Sequence, residues 1–161
     1  MSYFELLLLI HITGAIVGFG PTFAFGILGP LSGKLQGPPA LGVLKGIVAI
    51  EKKLVYPFAF VIQPLTGVLM IFETGRNHNF FSYEWLWTAI ILYIVVFYIA
   101  VFVQTPAIER MIELAEGGNA GNDEFMGLVA RTQRFGPMLG ILLLVIIFLM
   151  ITKPGSPEGF F

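Results

Sequence analysis

The sequence predicts an all-α protein, a four-helix transmembrane bundle with helical extensions on its cytoplasmic side. Three observations carry that prediction. Of 161 residues, 57% are hydrophobic and 12% charged, whereas soluble domains run at about 45–50% and about 25%; so few charges cannot solvate a globular surface. Four uncharged runs each reach the length of about 17–25 residues that spans a bilayer. The runs are continuous rather than alternating, which selects helices over strands. The whole chain, residues 1–161, reads as a single integral membrane domain.

The first span is Leu6 to Leu28. It is longer than the core of a signal peptide, about 7–15 residues, and lacks a basic start, so it reads as retained. "GPLSGKLQGPPALG" then reads as a turn-rich loop with three prolines. Leu41 to Lys53 reads helical, with Leu41, Leu44 and Val48 on one face, as an interfacial helix or as the foot of the second span, Leu54 to Phe72. The third span is Trp85 to Val103, and Ile108, Met111, Ile112 and Ala115 continue its helical spacing. "GGNAGND" stops that helix, with Asn122 or Asp123 placed to cap the next. The fourth span is Phe135 to Thr152, so spans three and four extend beyond the membrane as a helical hairpin. Pro57, Pro64, Pro106 and Pro137 lie in or beside spans, where they free backbone carbonyls.

Charge orients the bundle. Seven of the nine Lys and Arg residues fall on the connections between spans one and two and between three and four. The positive-inside rule puts those connections in the cytoplasm. Both termini and the Glu73–Glu84 loop are then non-cytoplasmic, in a plasma (inner) membrane. Tyr3, Phe4, Phe80, Phe81, Tyr83, Trp85 and Trp87 form an aromatic belt at that level.

Few residues carry chemistry. There is no cysteine, which removes disulfides, thiolate metal sites and cysteine nucleophiles. A net charge of −1 offers no field for nucleic acid. No acidic residue sits mid-span, so a proton or sodium relay lacks a carrier. His11 is the one histidine inside a span, in "LLLLIHITGAIVGFG", with Gly14 and Gly18 on its helical face. One reading is close helix packing, with the imidazole bonded across the contact. The other is a cofactor slot: His11 as axial ligand to haem iron, Gly14 and Gly18 leaving room for the ring. The sixth position would be open, or filled by His78, Met70 or a second subunit, and Arg76 would meet a propionate or pair with Glu73. Gln63 reads as bonding a carbonyl freed by Pro64, and the charges at Glu51–Lys53 and Glu109–Arg110 as solvated or in contact with lipid headgroups.

"IHITGAIVGFG", "EKKL" before a proline-bearing span, "WL" opening span three and "RTQRFGP…ITKP" around span four resemble the CopD-like group, which includes the HemJ-type protoporphyrinogen oxidases. The resemblance implies haem b bound through His11. Trp85-Leu86-Trp87-Thr88-Ala89 lacks the lysine that the HemJ-type branch carries there, and Phe135-Gly136 replaces its "NE". An uncharacterised branch is therefore implied, without porphyrinogen oxidation. The leading functional expectation is a haem b protein with a redox or porphyrin-handling role. The alternative is a non-catalytic subunit of a membrane complex, or a homodimeric scaffold, whose other partner is membrane lipid. A lipophilic-ligand binder or small transporter between proline-kinked helices ranks last.

Overall fold

The computed structural model describes residues 1–35 and 38–156. Among these residues four long helices form the bundle and no strand occurs. They are α1 (Tyr3–Lys34), α2 (Pro38–Glu73), α3 (Glu84–Glu116) and α4 (Asp123–Thr152). Each of the four expected spans lies inside one of them, and each helix is long and apolar enough to cross a membrane. At 1.5 Å per residue, the 32 residues of α1 reach about 48 Å, well beyond a hydrocarbon core of about 30 Å. The surplus lies at the end opposite the termini. We call the end with the termini and the 74–83 loop the upper end, and the end with the 117–122 turn the lower end.

The ends of the helices follow local chemistry. Ser2 and Glu5 form a reciprocal capping box on α1, with the Ser2 N–H donating to Glu5 Oε2 at 2.7 Å. Asn122, not Asp123, caps α4 by accepting from the Phe125 N–H at 2.8 Å. Between α3 and α4, Gly118 and Gly121 hold φ of +76° and +97°, where a side chain would be strained. The expected long loop after span one is largely helical. α1 continues to Lys34 and α2 begins at Pro38, because a helix tolerates proline in its first turn; Gln36 and Gly37 lie outside the described residues. Leu41–Lys53 is the foot of the second span, continuous with it.

α2 is α-helical over Pro38–Ile50, π-helical over Glu51–Ile62 and α-helical again over Gln63–Glu73. α3 has a shorter π stretch at Ala100–Gln104. Pro57 and Pro64 have no N–H to give. In the wider i→i−5 register, the missing Pro64 bond belongs to the Ala59 carbonyl. The Tyr93 hydroxyl of α3 donates to that carbonyl at 2.9 Å instead, so the gap in one helix becomes a link to its neighbour.

Phe19, Val55, Ala59, Val96 and Leu143 form the buried core, one or more from each helix. The outward faces remain apolar, with Ile16, Ile27, Val61, Ile94, Ile141 and Phe148 exposed, as a lipid-facing surface requires. Trp85 departs from the expected belt: it is buried, while Phe81 stays exposed. At the lower end Lys52 pairs with Glu109 and Lys45 with Glu116, each at 2.6 Å, tying α2 to α3. Arg110 ties α3 to α4 through Glu124.

Candidate functional site

His11 faces α2 and both of its ring nitrogens are engaged. Nδ1 lies 2.9 Å from Thr66 Oγ1, and Nε2 lies 2.9 Å from Gln63 Nε2. The Thr66 hydroxyl donates its proton to the Ile62 carbonyl at 2.7 Å. Its oxygen therefore accepts from His11 Nδ1–H, which leaves Nε2 as the lone pair that takes the Gln63 amide N–H. Gln63 thus bonds the imidazole, while Tyr93 takes the carbonyl expected for it. Its own Oε1 is buried without a partner.

The two glycines explain how α2 comes so close. A Cβ on Gly18 would lie 2.5 Å from the Ala59 backbone nitrogen and 2.9 Å from its Cα. A Cβ on Gly14 would lie 3.2 Å from Gln63 Oε1, and one on Gly67 3.3 Å from the His11 ring. Backbone crosses backbone here, as small-residue faces permit in membranes. For a haem at this position the donor chemistry is suitable, since an Nδ1–H donor fixes the tautomer whose Nε2 takes a metal. The space is not: α2 fills the face of Gly14 and Gly18, and Gln63 caps Nε2. The residues as packed do not fit a macrocycle. His78 is exposed in the upper loop and is not among the partners of the His11 ring, nor is Met70. Arg76 lies over the Tyr83 ring, 5.5 Å from its centroid. Among the described residues no three His, Asp or Glu side chains converge on a metal-sized site.

The lower half is open where the upper half is closed. A cleft of about 1270 Å³ runs between all four helices, walled by apolar residues such as Phe25, Leu44, Ile47, Met111 and Val129. It exceeds the range of about 300–1,000 Å³ typical of small-molecule sites. Gly26 and Gly29 line it, and a Cβ on either would meet nothing within 4 Å. Polar side chains also line it, among them Glu51 and Gln104. Glu51 is 6% exposed and Gln104 9%.

A chain of hydroxyls holds the carboxylate. Tyr56 donates to Thr105 Oγ1 at 3.1 Å, and Thr105 donates to Glu51 Oε1 at 2.7 Å. Glu51 Oε2 is left without a partner. Gln104 gives its Nε2 to the Thr132 carbonyl at 3.4 Å, which fixes the amide orientation and leaves Oε1 unpaired. A buried acceptor with no donor costs about 1–3 kcal/mol.

Reading the sequence placed Glu51 among solvated charges beside Lys52 and Lys53; the structure turns it inward. A signal was present. Leu44, Ile47, Glu51, Val55 and Ala59 recur every three or four residues, all are buried, and Glu51 is the only charge on that face.

Four apolar helices with polar groups turned inward and apolar side chains turned outward define an integral membrane protein. Residues 5–154 match the family described as "Predicted integral membrane protein (DUF2269)", and the chain belongs to that family. No curated protein and no solved structure matches it. The family match carries the membrane reading and does not extend to the CopD-like and HemJ-type resemblance.

Proposed function

We propose that this protein binds a lipophilic ligand in its lower cleft. One observation carries the reading: an apolar space of about 1270 Å³ whose wall holds two buried acceptors without donors. A large apolar pocket with a few convergent polar groups is the default ligand site of an uncharacterised protein. The positive-inside bias supports placing this end at the cytoplasmic face. The test is native mass spectrometry of the purified protein from non-ionic detergent, titrated with dodecyl amphiphiles. One saturable adduct per chain is expected, weakened in Gly29→Leu, which puts a bulky side chain into the cleft. Uptake that never saturates, or that Gly29→Leu leaves unchanged, overturns the reading.

Haem b at His11 is the second reading, favoured by the Nδ1–H tautomer that Thr66 imposes. It requires Gln63 to leave Nε2 and α2 to move off Gly18. A dithionite-reduced spectrum separates the two. A Soret band present in the wild type and absent in His11→Ala would move the function to the upper end.

A further inference from the structure

We infer that the ligand of the lower cleft carries a cationic, hydrogen-bond-donating head, of the long-chain primary ammonium class. The inference rests on the reading of the cleft as a binding site and names what that site selects.

Among the residues lining the cleft, the two buried side-chain atoms without a partner, Glu51 Oε2 and Gln104 Oε1, are both acceptors. Thr105 occupies one oxygen of Glu51 and leaves Oε2; Thr132 fixes the Gln104 amide and leaves Oε1. Gln104 and Thr105 are adjacent in α3, so one short segment positions both acceptors. A ligand head that displaces the side chains covering them and completes them brings donors.

The charge of the wall points the same way. Among the described residues the lining includes two carboxylates, Glu51 and Glu116, and no Lys, Arg or His. Glu116 is neutralised by Lys45 at 2.6 Å. Lys52, next to Glu51, is held by Glu109 at 2.6 Å. Glu51 is therefore the carboxylate left to pair. A carboxylate or phosphate head would meet a buried acceptor and no cation, which disfavours it strongly. An alcohol brings one donor to two acceptors. A quaternary ammonium brings charge and no N–H. A primary ammonium brings charge and three donors.

The experiment compares four heads on one chain length: dodecylammonium, dodecyltrimethylammonium, dodecanol and dodecanoate. Each is titrated into the full-length protein in non-ionic detergent and read by native mass spectrometry. Dodecylammonium is expected to bind about tenfold or more tighter than the trimethyl and alcohol probes, the worth of a charge-assisted hydrogen bond. Dodecanoate is expected to bind weakest. Glu51→Gln abolishes the preference for dodecylammonium over dodecanol, with helicity unchanged by circular dichroism. If Glu51→Gln does not fold, Gln104→Leu tests the second acceptor and narrows the preference. Equal affinities, or dodecanoate the tightest, overturn the head assignment and leave the cleft as a binding site. No saturable adduct with any probe, or a species of twice the chain mass that takes up none, overturns the cleft reading itself.

Discussion

The upper and lower halves of this bundle use the same small residue for opposite ends. Gly18 is a glycine because α2 lies where its side chain would be; Gly29 is a glycine beside empty space. The upper half closes on itself through backbone contact and a bonded imidazole. The lower half keeps its helices apart and ties them at the rim with ion pairs. Polar groups follow the same division. Above, the unpaired Gln63 Oε1 in the seam is walled in beside Gly14. Below, the unpaired atoms of Glu51 and Gln104 belong to side chains that line an open volume. Membrane bundles lack a hydrophobic force between helices, so closeness must come from packing and hydrogen bonds. Where those stop, a cavity remains that only a ligand or lipid fills.

The sharpest way to break this comparison is to place a methyl on each half. Gly18→Ala forces α2 away and is expected to destabilise the bundle by about 1–3 kcal/mol, in the manner of an overpacked core. Gly29→Ala meets no atom and is expected to stabilise by up to about 1 kcal/mol, from helix propensity alone. Thermal unfolding in detergent reads both. Equal losses would mean that the lower cleft is closed in solution.

Hydrogen bonds in the seam rank next. A double-mutant cycle of His11→Leu with Gln63→Leu is expected to show coupling of about 0.6 kcal/mol, the average found between membrane helices, and at most about 1.7 kcal/mol. Zero coupling would show that the two side chains do not meet. Tyr93→Phe removes the donor to the Ala59 carbonyl and is expected to cost about 1 kcal/mol. A Tyr93→Phe protein as stable as the wild type would mean that the carbonyl exposed by Pro64 finds water or another donor.

The fold was legible in the sequence because the bilayer constrains it so tightly. An uncharged run of sufficient length in lipid must be a helix, and the four runs at Leu6, Leu54, Trp85 and Phe135 all lie within helices. The hairpin of spans three and four and a cap at Asn122 or Asp123 were legible for local reasons, spacing and side-chain chemistry, and the structure selects Asn122. The turn-rich loop was misread because proline and glycine signal a break only when no helix start can absorb them, and Pro38 begins α2. His11 and its glycines were visible as one face, but the partner across that face was not. Pairing Gln63 with His11 depends on how α1 and α2 cross, which no spacing within one helix encodes. Glu51 was hidden by its neighbours: Lys52 and Lys53 suggested a solvated run, while the period of the buried face ran straight through it.

The smallest expected effect tests the rim of the lower half. Lys52 and Glu109 are 2.6 Å apart but about half exposed, with side-chain exposures of 55% and 41%. Such pairs contribute little and are screened by salt. Lys52→Ala is therefore expected to lower stability only slightly at low ionic strength and by nothing measurable at high salt. Its effect on the cleft should also be small, since Glu51 is held by Thr105 from the other side. If Lys52→Ala instead removed dodecylammonium binding as fully as Glu51→Gln, the ion pair would be positioning α2 and α3 about the cleft. The lower half would then owe its open shape to its rim, as the upper half owes its closed one to its glycines.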